Sequence, residues 1–430
     1  MSFNFALWGN FKNKDECLKF LRLALIFTCM ISLCALMHPL KDVVFITMVG
    51  VEWLPYVRWI SLLSLIPALL AYGRVVDYFA RHTVFYGICL LGSASVAAFI
   101  FLMKFFPSVA LGWGWYAFTE VFISLLIALF WSFVADISTP ESAKQGYGLI
   151  ILGAQLGGVL APLCLYPFVS VWGPLLVMSV VAIGLVVVTG MMYWFMRVTP
   201  PQLLKGFCYE KAHEKVFKKP GFFEGLKLIG KQSYLLGILA IISLCDMIII
   251  VLEYHVKIKA AHVYVDKSQL IEFFFKLTLY ANLVALISLL LGFGAVARWL
   301  GVARSLLFLP IAVGLGVLIM GTTDNLAILM ITLVSFKGIS YALDKPTREQ
   351  LYVPTSVDVK YKAKSWIDTF GSRVAKGLGS AVHMLRPVLQ SSFIFISSVF
   401  CLGLVGVWIA AAIYVAKIHR RAVEGNKLIC

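Results

Sequence analysis

Residues 238–251 read ILAIISLCDMIIIV, fourteen positions with a single charge at Asp246. A strand of a membrane barrel alternates lipid-facing and lumen-facing residues over about ten positions, and nothing alternates here. The other backbone that satisfies its own hydrogen bonds in lipid is a helix. The segment therefore reads as a membrane-spanning helix, and hydropathy widens it to 234–256. The rest of the chain has the same character. Of 430 residues 61% are hydrophobic and 13% charged, against roughly 45–50% and about 25% in soluble domains. A secreted or cytosolic enzyme is excluded.

A lipid-crossing helix uses about 20 apolar residues, so a dozen consume roughly 240 and leave short loops. Twelve spans are expected near 19–38, 56–72, 83–103, 109–134, 147–168, 172–196, 234–256, 271–297, 302–321, 326–343, 362–385 and 391–416. The stretch 197–233 is polar and carries Lys205, Lys211, Lys215, Lys218, Lys219, Lys227 and Lys231. It divides the chain into an expected six-helix half at 1–196 and a second at 234–430, with a basic cytoplasmic linker between. Lys and Arg total 37 against 21 Asp and Glu. With both termini cytoplasmic, Lys12, Lys14, Lys19, Arg22, Arg74, Arg81, Arg298, Arg304, Arg420 and Arg421 fall on the positive-inside face with the linker. The N-terminus has aromatics before its charges and no small-residue cleavage site, so the first span is expected to be retained. Nine scattered cysteines without a CxxC pair imply no zinc, haem or redox site, and no cofactor or metal is expected.

The halves repeat. GRVVDYFARHTVF after the second span matches GAVARWLGVARSLLF after the eighth in its Gly, basic, aromatic and basic positions. SFVADISTPESAKQGYG after the fourth is echoed by EQLYVPTSVDVKYKAKS after the tenth. Parallel halves joined by a basic loop resemble the major facilitator architecture, which implies a substrate site at the midplane. Gly73, Asp77 and Arg81 also resemble that family's cytoplasmic Gly-x-x-x-Asp-x-x-x-Arg pattern. Two readings stand for it: a clasp between Asp77 and a basic residue that gates alternating access, with Arg298 in the second half, or a topology anchor alone.

A charge at the bilayer centre costs at least about 2.5 kcal/mol, so each one inside a span is a candidate for function. Lys41 and Asp42 close the first span after Pro39, and either point apart into protein or snorkel to the interface. Glu120 has no basic residue between Lys104 and Lys144. Its partner comes from another helix or from a substrate, unless it is buried in neutral form. Tyr116 lies one turn before it on the same face. Asp246 and Glu253, seven apart, share a helix face, although Glu253 also lies close to Lys257. Lys337, Tyr341, Asp344 and Arg348 form one helical stripe, unless Pro346 ends the helix at Asp344. Arg373 and Lys376 sit among Gly371, Gly377 and Gly379, where packing explains the glycines and leaves the cations unexplained. Cations from both halves with a few lone carboxylates suit a multiply charged organic anion, since guanidinium and ammonium groups match phosphate oxygens.

These residues resemble the nucleotide transporter family, the ATP/ADP translocases of plastids and of obligate intracellular bacteria such as chlamydiae and rickettsiae. The likeness runs from LKD in the first span through TEVFISLLIALFWSFVADISTPESAKQGYG to KPTREQLYVPTSVDVKYKAKSWIDTFGSRVAKGLGS. It implies that Lys41, Glu120, Glu253 and Arg348 bind substrate, and the reading of the charges above adds Tyr116, Asp246, Lys337, Tyr341, Arg373 and Lys376 as the expected surrounding cavity. The span-ten cation is Arg348 where the family has Lys, and Lys345 stands where the family usually has Asp. A guanidinium keeps the charge and changes its geometry, so phosphate binding carries over more safely than ATP/ADP selectivity.

The expectation is an all-α, polytopic, major facilitator-type bundle of twelve helices in a bacterial inner membrane, monomeric. It would be a secondary-active transporter moving an ATP- or ADP-like nucleotide by alternating access, as exchanger or proton symporter. The alternative is a proton-coupled carrier of another organic anion. No Walker A loop is present and the seven His are scattered, so neither ATP hydrolysis, nor another enzyme activity, nor a nucleic acid partner is expected.

Overall fold

The computed structural model describes residues 3–5, 9–11, 14–204, 224–290, 293–352, 354–355, 359, 363–364, 366–425 and 429. The linker lysines from Lys205 to Lys219 lie outside them. A small antiparallel pair, Phe3–Phe5 with Gly9–Phe11, comes first. Long helices follow: α1 (Lys14–Met48), α2 (Leu54–Tyr78), α3 (Arg81–Phe105), α4 (Val109–Asp136) and α5 (Pro140–Val198). After the short α6 (Glu224–Lys231) come α7 (Ser233–Val263), α8 (Lys267–Leu290), α9 (Phe293–Thr322), α10 (Leu326–Ile339), α11 (Lys345–Leu351), α12 (Ser372–His383), α13 (Arg386–Leu389) and α14 (Phe393–Glu424). α5 comprises two separate spans, 145–169 and 173–198, and the chain turns between them at Gly173, whose φ of 72° is left-handed and suits a residue without a Cβ.

Among the described residues ten helical segments are long and apolar enough to cross a membrane. The multi-pass, all-helical class is as expected, and the ten uninterrupted segments account for ten of the twelve expected spans. The tenth and eleventh are interrupted helices. α10 runs into a π turn at Ser340–Asp344 before α11, and a second π turn at Trp366–Gly371 leads into α12. The first helix is also longer than its hydropathy, continuing through Pro39 to Met48. Ending it at residue 38 would leave carbonyls unpaired where no water reaches them. Of the expected eighth span, 271–297, the described residues place 271–290 in α8 and 293–297 in α9.

Two compact units are present. The first comprises residues 1–50, 63–217 and 264–282, the second 51–62, 218–263 and 283–430. In the first, α1 packs on α5 and α4, and α3 on α5. In the second, α7 packs on α12 and α10, and α9 on α14. The internal pairings thus follow the sequence repeat. The closest approaches also recur. A Cβ on Gly157 of α5 would collide with the Thr28 carbonyl of α1, and one on Gly379 of α12 would stand 2.7 Å from the Met247 carbonyl of α7. Large apolar side chains such as Leu63, Leu91 and Phe395 remain exposed, as a lipid-facing surface requires.

Candidate functional site

In the first unit the polar centre is built by α1 and α4. The continuation of α1 past Pro39 carries Lys41 and Asp42 into the protein, where they are 5% and 8% exposed. Both are interior, and the snorkelling reading is excluded. The Lys41 ammonium forms an ion pair with Glu120 of α4 and stands 5.0 Å from the centre of the Tyr116 ring. Tyr116 and Glu120 are one turn apart, so a single face of α4 offers a ring and a carboxylate to the same cation. His38, one turn before Lys41, places Nδ1 3.3 Å from the ammonium. Phe45 packs edge-on against Tyr116 and Trp113, which walls the pair with apolar surface.

In the second unit α7 provides two levels of one face. At one level Glu253 pairs with Lys337 of α10 at 2.9 Å. Two turns away, about 10 Å along the axis, Asp246 accepts a hydrogen bond from the Ser372 hydroxyl of α12. Arg348, on α11, lies near Asp246 and Cys245 and forms an ion pair with Asp344 at 2.6 Å. Its Nε is buried with no hydrogen-bond partner among the described residues.

The expected stripe is therefore realised in altered form. Pro346 does not end the helix, because it occupies the first turn of α11, where its missing N–H costs little. The π turn at Ser340–Asp344 adds a residue to the repeat, and Lys337 and Arg348 both reach α7, at different heights. Glu253 meets Lys337 rather than Arg348. The side chain of Tyr341 lies outside the described residues. Arg373 is partly exposed and Lys376 exposed on α12.

At the end of α4, Arg81 pairs with Asp136 and donates to the Ser132 carbonyl at 3.0 Å. The side chains of Asp77 and Arg298 lie outside the described residues, so the carboxylate that meets Arg81 here is Asp136. Gly73 is exposed with open space where a Cβ would stand. Lys19, grouped above with the surface cations, is 3% exposed. Its ammonium donates to the Ile137 carbonyl at 2.6 Å and the Leu203 carbonyl at 3.1 Å, tying α1 to the carbonyl end of α4. One sequence signal pointed to Asp136: its loop is one of the repeated segments. None singled out Lys19 from its neighbours.

Solved transporters share this fold. The nucleoside transporter NupG superposes with a TM-score of 0.63 at 10% identity, covering 94% of this chain and 99% of that one. A bacterial homologue of the iron transporter ferroportin gives 0.65 at 13%, covering 93% and 98%. The architecture is major facilitator-type. In sequence, ADP,ATP carrier protein 1 of Rickettsia prowazekii is 23% identical over 89% of this chain and 87% of its own length. ADP,ATP carrier protein 2 of Arabidopsis thaliana chloroplasts is 23% identical over 92% and 73%. The model of the TLC ATP/ADP transporter family matches residues 105–420, and the chain belongs to that family.

Proposed function

We propose that this protein carries adenine nucleotides, or closely related phosphorylated anions, across a membrane by alternating access. In this reading Lys41 and Arg348 grip phosphates. Glu120 and Glu253 hold cations while cargo is absent, and Tyr116, Asp246, Lys337, Tyr341, Arg373 and Lys376 shape the surroundings. The observation that carries it is a Lys–Glu pair inside each compact unit, Lys41 with Glu120 and Lys337 with Glu253. A buried ion pair gives little net stability, and its better-attested use is specificity or switching. A phosphate can replace either carboxylate with its own oxygens. The unpartnered Nε of Arg348 offers one more donor.

The names of the rickettsial and plastid relatives support ATP and ADP as cargo. We place the protein in a bacterial inner membrane, as a monomer of two six-helix halves, 1–196 and 234–430. The basic linker 197–233 and both termini would be cytoplasmic. Gly73, Asp77, Arg81 and Arg298 would form the cytoplasmic gate. The positive-inside distribution of Lys and Arg supports that orientation.

The test is uptake of radiolabelled ATP and ADP into proteoliposomes or expressing cells. Wild-type protein is expected to take up label, and Arg348→Ala to abolish uptake while reaching the membrane in normal amount. Unchanged transport of every nucleotide by Arg348→Ala would remove that residue from the site. No uptake of any nucleotide by the wild type would overturn the reading.

A further inference from the structure

The eighth span holds two charges that no motif singles out, Glu272 and Lys276, separated in sequence by the buried side chains of Phe273, Phe274 and Phe275. They are one turn apart on α8, and the Lys276 ammonium pairs with the Glu272 carboxylate at 2.8 Å. α8 starts at Lys267, so Lys276 stands about 14 Å along its axis, within the lipid-crossing length. Tyr166 of α5, in the same compact unit, engages both charges with one side chain. Its hydroxyl donates to the Glu272 carboxylate at 3.1 Å, and its ring centre is 5.2 Å from the Lys276 ammonium.

The same three groups meet at Lys41 of this unit, where Glu120 supplies the carboxylate and Tyr116 the ring, 5.0 Å away. Holding α8 to α5 does not require the second set. Further along, the Asn282 amide donates to the Gly158 carbonyl at 2.8 Å, and a Cβ on Gly158 would stand 3.3 Å from that side chain. The two helices are thus already in close contact without a charge. Charges inside a span are costly, and their pairing returns little stability. Lys276 is also easier to reach than Lys41, its side chain being 36% exposed against 7%. Phosphate oxygens can take the ammonium from the Glu272 carboxylate, while the Tyr166 hydroxyl continues to hold that carboxylate.

We propose that Lys276, with Glu272 and Tyr166, forms a second anion subsite in the first unit, which takes a phosphate group of the cargo. The subsite rests on the nucleotide reading above and adds to it a cation from the eighth span. Without cargo, Lys276 stays paired with Glu272, and an arriving phosphate competes with that carboxylate. The two residues therefore act on cargo affinity with opposite signs. An ion pair that only ties the fold loses the same bond whichever partner is removed.

The experiment measures the half-saturating ATP concentration for labelled uptake into proteoliposomes, for the wild type, Lys276→Gln, Lys276→Arg and Glu272→Gln, with the amount inserted determined for each. Lys276→Gln is expected to raise it about tenfold, the loss of one charge-assisted hydrogen bond. Lys276→Arg keeps the charge and should raise it less than about threefold. Glu272→Gln removes the competing carboxylate and should lower it by about threefold or more. Shifts of the two Gln variants that are not opposite in sign overturn the subsite and leave the pair as a tie within the first unit. Should Lys276→Gln fail to reach the membrane, Glu272→Gln decides alone: tighter ATP supports the subsite, and weaker or unchanged ATP overturns it. A wild type that moves no nucleotide overturns the underlying reading instead.

Discussion

A lone charge in an apolar helix tells more about its surroundings than about itself. Lys41 and Glu120 were each legible in sequence for that reason, one after Pro39 and one in a long stretch without cations, and the fold brings them together. Removing one partner leaves the other charge buried without its pair, whereas removing both leaves two neutral polar groups. Lys41→Gln is expected to lower stability by about 2 kcal/mol and to abolish uptake. The double variant Lys41→Gln with Glu120→Gln should recover most of the stability and none of the transport. Thermal unfolding in detergent, read beside uptake, checks both. Full stability in the single variant would mean that the pair carries no structural load. Other participants were not legible. Glu272 sits in an ordinary span opening, and Lys19 looks like any other basic residue at a helix entry. What distinguishes them is which carbonyl or hydroxyl another helix brings near, and that is a property of packing rather than of composition.

At the level of elements, hydropathy located the spans because water exclusion requires each one to be a helix, and length follows from bilayer thickness. It failed where the helix is not regular. Neither π turn, Ser340–Asp344 or Trp366–Gly371, has a sequence signature, and both occur where polar side chains must be aimed at α7, as π insertions at functional sites commonly are. Glycines show the same division. Gly73 belongs to a recognisable motif, yet its surroundings are open. Gly157 belongs to none, yet α1 rests on it. Gly73→Ala should therefore be neutral or stabilising by about 0.5 kcal/mol, since Ala favours a helix interior. Gly157→Ala must separate α1 from α5 and should lower the unfolding temperature by several degrees, about 1–2 kcal/mol. Thermal unfolding of the two variants side by side tests the contrast. A destabilised Gly73→Ala would show that the motif glycine is needed for close approach after all.

For the whole molecule, the proposed cycle raises the question of what moves when no cargo is bound. The repeat, the family and the paired internal packing agree on a two-state carrier, and the sequence showed this because both halves keep the same helix order. The sequence did not separate exchange from proton symport, and the exchange of cargo across a vesicle membrane does. An exchanger is a carrier whose empty form reorients slowly and whose loaded form reorients quickly. Vesicles preloaded with labelled ATP should lose it slowly into nucleotide-free buffer and at least about tenfold faster once ADP or ATP is added outside. Accumulation driven by a pH gradient into vesicles containing no nucleotide would instead place the protein among symporters, because only a carrier whose empty form returns readily can work without a counter-substrate.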